Sequence, residues 1–345
     1  MYRPIINGGV FMCTSFTLHA KDESYMLSRT MDFSIEMAKT VTYIPQNFHL
    51  IHDYSSSEMY QTKYAYVGMG ALEDHCNIVF DGVNEQGLTA ATLYFVNYAN
   101  YADPQTVTTA VKVAPDMVVG YTLGNYASVN EVKTAFEQNQ IQIVDEKNPT
   151  LGITPPLHYI FMDKTGATIV VEVMKDGVHV YDDTVGVMTN SPDYPWHENN
   201  LNNYLTVTPK QHEPVNWLGK ELHPMSQGSG NFGLPGDFTP VARFVRTAYL
   251  KNFMPQADDE YGNLIKAENI LKSVNVAKGA VVTETDAQDF SCYRSFMSAT
   301  SQTYYFATYN NQRVRKINLQ SLIDLTEPKI FVVDNHEDIL DITNN

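Results

Sequence analysis

The sequence predicts a layered α+β fold built on antiparallel sheets. Strand-like runs fill the first third, give way to helical ones, return, and give way again. The strands are joined by short polar turns of the hairpin type, not by crossovers long enough to hold a helix. The 345 residues are 43% hydrophobic and 18% charged, which supplies a large core and excludes a disordered chain.

The elements follow from local pattern. Phe11 to Leu18 alternates as a strand, and Tyr25 to Phe33 is its partner across the turn Lys21-Asp22-Glu23-Ser24. Val41 to Ile44 is a short strand stopped by Pro45. Asn77 to Phe80 and Leu88 to Phe95 flank a turn read over Asp81 to Gly87, rich in Gly and Asn. Ala114 to Leu123 and Ser128 to Gln138 carry helical spacing, with Ser128 and Glu131 placed as a capping box. Leu157 to Asp163, Thr168 to Met174 and Val178 to Asp182 return to strand, joined at Lys164-Thr165-Gly166 and Lys175-Asp176-Gly177. Asn190 to Asp237 reads as a long loop with a turn of helix near Trp196 to Tyr204. Pro240 to Phe253, with Pro240 in its first turn, and Asn263 to Val274 are helices. Thr303 to Thr308 and Val314 to Asn318 are the last strands.

Composition bounds the function. The net charge of -16 opposes a nucleic acid or an anionic membrane surface as partner. No run approaches the roughly 20 apolar residues of a membrane span, and the start lacks the apolar stretch of about 7–15 residues of a secretory signal. A cytoplasmic protein is expected. The three cysteines, Cys13, Cys76 and Cys292, form neither a disulfide framework nor a zinc spacing, and the ten histidines show no helical metal-ligand pair. No metal or cofactor is expected.

The chemistry sits at the start of the chain. Cys13 opens the first strand in Met12-Cys13-Thr14-Ser15. A cysteine at a mature N-terminus has a base of its own, because its α-amine titrates at about 7.7–8.0. Arg29 and Asp32 follow on the partner strand. A guanidinium near the sulfur favours thiolate, and a carboxylate near the amine orients it. Their odd offset aims them at opposite faces of an unbroken strand, so one site for both calls for a bulge or a strand end. The alternative is a hairpin carrying an exposed ion pair, which is worth little.

These residues carry a resemblance. Met12-Cys13-Thr14-Ser15 and Ser28-Arg29-Thr30-Met31-Asp32-Phe33 are similar to the opening of penicillin V acylases and bile salt hydrolases, the choloylglycine hydrolase family. Gly82 to Leu88, Ala91-Thr92-Leu93-Tyr94-Phe95, Gly186 to Pro192, Asn199 to Tyr204 and Val241 to Arg246 follow in the family's order. The resemblance implies an N-terminal-nucleophile hydrolase with a four-layer αββα sandwich of antiparallel sheets, a homotetramer without cofactor or metal, acting on a small-molecule amide. It implies Cys13 as nucleophile, with Arg29 and Asp32 beside it. It assigns the oxyanion to the Asn190 side chain and the Tyr94 backbone, and a further catalytic place to Arg243. Met31 falls at the substrate pocket by its slot beside Asp32, with ordinary strand packing as the alternative. Tyr at position 94 resembles the penicillin V acylases more than typical bile salt hydrolases. The reaction expected is therefore hydrolysis of a linear amide of the penicillin V type, with conjugated bile salts as the alternative substrate and a non-catalytic member of the fold as the alternative class.

The chain departs from the family at its start. Residues 1–12 precede Cys13 and are expected to be absent from the mature enzyme, leaving 13–345 as one catalytic domain. A pro-segment, a cloning remnant and an early-assigned start codon are all open, and the last is favoured. Gly8-Gly9 can be encoded as GGA-GGU, which reads as a bacterial ribosome-binding site two codons before Met12. Elsewhere, Cys76 beside His75 and Cys292 read as buried structural thiols. Gly228-Ser229-Gly230-Asn231-Phe232-Gly233 lacks the strand-then-helix setting of a dinucleotide site.

Overall fold

The first hairpin forms where alternation predicts it. Met12–His19 and Tyr25–Phe33 pair antiparallel in unbroken register from Met12↔Asp32 to His19↔Tyr25. The turn between them places Glu23 at φ 63° and holds the Ser24 N–H on Asp22 Oδ1 at 3.0 Å. The computed structural model describes residues 12–56 and 58–343. The extension Met1 to Phe11 lies outside the described residues.

This hairpin is the centre of a seven-stranded antiparallel sheet. Val187–Met188 flanks it on one side, and Gln288–Ser298, Thr303–Thr308 and Arg315–Asn318 follow on the other, with Val281–Val282 paired to Gln288–Ser298. A second sheet of eight strands runs Gly177–Asp182, Thr168–Met174, Leu157–Met162, Thr89–Tyr94, Cys76–Asn84, Tyr66–Glu73, Thr40–Ile44 and Lys329–Val332. The two sheets pack face to face, and Met12–His19 lies against Thr89–Tyr94. Helices Pro240–Phe253 and Glu260–Val274 cover the outer face of the first sheet, and Val118–Asn125 and Val129–Glu137 cover the second. This is the four-layer αββα sandwich. One core, with Leu27, Met69, Val83, Leu93 and Met297, lies between the sheets and runs on, through Phe16 and Phe296 on the other face of the first sheet, to Phe244 and Ile270 of the first pair of helices. A second, with Val79, Ala90, Val118, Val132 and Phe136, lies under the other pair. Among the described residues no helix is long and apolar enough to cross a membrane.

Several boundaries differ from the sequence reading. The strand Cys76–Asn84 runs through Asp81 and Gly82, so the turn begins later, where Asn84 Oδ1 accepts from the Gln86 and Leu88 N–H groups at 3.0 and 2.9 Å. The helix read over Ala114 to Leu123 is a 3₁₀ turn, Pro115–Met117, followed by α-helix Val118–Asn125. Ser128 caps the next helix as expected, accepting from Glu131 N at 3.3 Å, but the Glu131 carboxylate reaches the Ala127 N–H rather than that of Ser128. Strands Tyr66–Glu73 and Gln288–Ser298, and a small hairpin of Val215–Trp217 with Lys220–Leu222, were not anticipated.

Candidate active site

Cys13 sits one residue inside the end of its strand, opposite Met31, and is 2% exposed. Its Sγ lies 3.0 Å from Arg29 Nη2 and 4.0 Å from Met31 Sδ. Arg29 is fully buried. Its Nε donates to the Thr30 carbonyl at 2.9 Å and its Nη1 to Asp81 Oδ2 at 2.9 Å. The exposed-pair alternative therefore fails: Arg29 and Asp32 are both 0% exposed, and the ionic partner of Arg29 is on the other sheet.

A second set of groups holds the backbone of Cys13. Its nitrogen donates to Asn190 Oδ1 at 2.9 Å. Asn190 stands just beyond Val187–Met188, and its Nδ2 donates to the Tyr94 carbonyl at 2.8 Å. Arg243 reaches in from the first turns of Pro240–Phe253, whose N-terminus is fixed by Thr239 accepting from Ala242 N. Its Nη2 donates to Asn190 Oδ1 at 2.7 Å and its Nη1 to Thr14 Oγ1 at 2.7 Å and to the Cys13 carbonyl.

Alternation keeps Arg29 and Asp32 on opposite faces, as the spacing requires. Arg29 points between the sheets. Asp32 points to the helical side, accepting from Thr30 Oγ1 at 3.1 Å and Ser291 Oγ at 2.5 Å. Arg29 touches the Cys13 sulfur from one face, while the Asp32 carboxylate, on the other, acts on it through its charge. The irregularity is on the neighbouring strand. Ser291 pairs with Asp32 and Tyr293 with Met31, so Cys292 is an extra residue. That bulge sends Ser291 to Asp32 and Tyr293 to the opposite face.

The residues singled out in sequence thus converge: Cys13, Arg29, Met31, Asp32, Asn190, Arg243 and the Tyr94 backbone form one connected group. The pattern that defines the linear amide C–N hydrolases of the choloylglycine hydrolase family matches residues 13–331. This chain belongs to the choloylglycine hydrolase family. The bile salt hydrolase/transferase of Clostridium perfringens is 34% identical over 89% of this chain and 92% of its own length. The conjugated bile acid hydrolase of Lactobacillus acidophilus is 36% identical over 85% of this chain and 92% of its own. A crystal structure of a variant of the conjugated bile acid hydrolase from Clostridium perfringens matches with a TM-score of 0.90 at 32% identity, covering 96% of this chain and 100% of that one. A penicillin V acylase from Pectobacterium atrosepticum is more distant, at 24% identity over 90% of this chain and 81% of its own length. The similarity is thus stronger to bile acid hydrolases than to a penicillin V acylase. Along Thr89–Tyr94, position 94 alternates with Ala90, which packs under the helices, and not with Ala91 and Leu93, which face the other sheet.

Electrostatics of this site are those of charges taken out of water. Burial pushes the Cys13 thiol above its ordinary value, Arg29 pulls it down, and Asp32 pushes it up. Burial also raises the Asp32 carboxyl, opposed by Arg243, Ser291, Thr30 and Arg29. Arg243 is lowered by burial, with Asp32 opposing. Among the described residues no group of three or more His, Cys, Asp or Glu side chains is placed to hold a metal ion.

The other thiols are set apart. Burial pushes Cys76 up to about 11 and Cys292 to about 12. The Gly228–Gly233 segment holds only a 3₁₀ turn, Ser229–Asn231. Sequence reasoning missed a supporting shell. His197 Nε2 donates to the Asn190 carbonyl at 2.8 Å. His158 lies 3.0 Å from both the Thr189 carbonyl and Glu172 Oε1. Asp81, Ser291, Tyr293 and Tyr304 complete it. His197 lies on the short helix Tyr194–Asn200; for the others the available signal was polar residues inside apolar strands.

Proposed function

We propose that this chain hydrolyses the amide bond of conjugated bile salts, with Cys13 as nucleophile once its α-amine is free. The observation that carries the chemistry is the guanidinium of Arg29 at 3.0 Å from Cys13 Sγ, on the far side from the backbone held by Asn190 and Arg243. The bile salt as substrate is supported by the relatives reported above.

In this reading the amine takes the thiol proton and Arg29 favours the thiolate. The sulfur attacks the amide carbonyl, and the oxyanion is held by Asn190 Nδ2 and the Tyr94 backbone. The amine returns the proton to the leaving nitrogen, and water then hydrolyses the thioester. Asp32 orients the amine. Arg243 holds Asn190 and the Cys13 carbonyl, and Met31 lines the sulfur. A homotetramer is the assembly expected, for which exposed Trp217, Leu218, Met225 and Phe232 offer apolar surface.

The test compares kcat/KM for glycocholate and penicillin V, with Cys13→Ser as control. Higher values on glycocholate, abolished in Cys13→Ser with the fold intact, support the proposal. A clear preference for penicillin V overturns the substrate, and an active Cys13→Ser enzyme overturns the mechanism.

A further inference from the structure

Asp81 lies on Cys76–Asn84 of the sheet opposite Cys13 and is 0% exposed. Three donors converge on its carboxylate. Arg29 Nη1 reaches Oδ2 at 2.9 Å, the Tyr293 hydroxyl reaches Oδ2 at 2.5 Å, and the Tyr304 hydroxyl reaches Oδ1 at 2.5 Å. Tyr293 also stands 3.3 Å from Arg29 Nη1, with its ring centroid 5.6 Å from Cζ. Both tyrosines are buried, on adjacent strands of the first sheet. The bulge at Cys292 gives Tyr293 the side it needs.

A buried ion pair adds little net stability, because desolvation offsets the attraction. This one has a different consequence. The guanidinium is pinned at Nε by the Thr30 carbonyl and at Nη1 by Asp81, which turns Nη2 toward Cys13 Sγ at 3.0 Å, with Met31 Sδ beyond at 3.5 Å. Arginine presents its donors in a rigid plane, so fixing two fixes the third. We propose that Asp81, held by Tyr293 and Tyr304, is the positioning device that aims Arg29 at the Cys13 sulfur and so sets the reactivity of the thiol. The proposal rests on Cys13 being the nucleophile.

Charge and position predict opposite signs. Were Asp81 only a nearby anion, removing its charge would leave Arg29 less neutralised, favour thiolate and speed the reaction of the sulfur. As a positioning device, its loss lets Nη2 drift from the sulfur and slows that reaction. The experiment measures iodoacetamide alkylation against pH, mapped by peptide mass to Cys13, in the chain that begins at Cys13 and in its Asp81→Asn and Tyr304→Phe variants. Tyr304→Phe is informative because the Tyr304 hydroxyl hydrogen-bonds to Asp81 while Arg29 and Cys13 keep their own partners. Alkylation of Cys13 at pH 7 is expected to fall about tenfold in Asp81→Asn and severalfold in Tyr304→Phe, with the midpoint of the pH profile moved upward. The kcat on the amide substrate falls in parallel, with KM within about twofold. Unchanged or faster alkylation in folded Asp81→Asn and in Tyr304→Phe overturns the proposal. Should Asp81→Asn fail to fold, Tyr304→Phe decides alone. Cys13→Ser separates the two ideas, since an active Cys13→Ser enzyme removes the nucleophile reading whatever the alkylation rates.

Discussion

Asn190 Oδ1 accepts two hydrogen bonds at once, 2.9 Å from the Cys13 nitrogen and 2.7 Å from Arg243 Nη2. Its Nδ2 is turned toward the Tyr94 carbonyl at 2.8 Å. One amide group therefore fixes the backbone of Cys13 and keeps a second N–H, which in the proposed reaction would meet a developing oxyanion. Asn190→Ala is expected to lower kcat by about 10²–10³ with KM little changed, the loss of one oxyanion donor. Steady-state kinetics check this, and a change confined to KM would make Asn190 a binding residue instead.

The carbonyl of Asn190 is held by His197, a buried histidine whose protonation is costly. His197 is buried and stacked on Phe244, with ring centroids 4.8 Å apart. Burial lowers its pKa to about 4; the bond to the Asn190 carbonyl opposes this, and nearby His158 and Arg243 add to it. Its Nδ1 has no hydrogen-bond partner among the described residues, so a second proton there would be buried without an acceptor. The folded chain thus binds fewer protons than the unfolded chain between pH 6.5 and about 4. Stability from this group is complete above pH 6.5 and is lost as pH falls through that window, by on the order of 3 kcal/mol. His197→Gln keeps an N–H for the Asn190 carbonyl and removes the titration. Urea unfolding at pH 4.5, 5.5 and 7 should show the parent losing stability on acidification relative to His197→Gln. Parallel curves would mean that His197 does not carry the effect.

How much of this was legible depended on where function interrupts pattern. Tyr25–Phe33 was read to the residue, because its alternation is continuous and its turn is polar. Tyr66–Glu73 was passed over because Gly68 and Gly70 look like turn residues. They are required inside the sheet, since a Cβ on Gly68 would collide with the Asp81 carbonyl and one on Gly70 with that of Ile78. Gln288–Ser298 was hidden by its own bulge, which breaks the period of two between Ser291 and Tyr293. Asp81 was lost with the turn assigned to it, for Asp-Gly is a turn signal in sequence and a strand here. Cys13, Arg29 and Asp32 stood out by their chemistry, and Tyr94, Asn190 and Arg243 only through a resemblance. The groups behind them are ordinary Tyr, Ser, His and Asp residues whose roles exist only once two sheets meet.

Tyr94 joins the site through its main chain. Its hydroxyl is raised to about 12 by burial, and its charge would be felt by Tyr101. If the carbonyl and the backbone position are what matter, Tyr94→Phe should leave kcat/KM on glycocholate and on penicillin V within about twofold of the parent. A selective loss on one substrate, read from paired kinetics, would show that the phenol enters the pocket and would revive Tyr94 as the determinant of acyl preference.

The last prediction concerns the nitrogen of Cys13. It is followed here in a strand that begins at Met12, so it is a peptide nitrogen, and its one N–H is spent on Asn190 Oδ1. A peptide nitrogen has no available lone pair and cannot take the proton of the thiol. A free amine at the same place keeps the bond to Asn190 and gains both a lone pair and further hydrogens, with Asp32 as the nearby carboxylate that opposes Arg29 in tuning the sulfur. We therefore propose that the active form begins at Cys13. A chain initiated at Met12 is expected to lose that methionine to aminopeptidase, since cysteine is small, and to show an intact mass starting at Cys13 with full activity. A full-length protein that retains Met1 to Phe11 by mass and hydrolyses the same amide at the same rate would end the amine-as-base mechanism, because no proton acceptor would then be present at that atom.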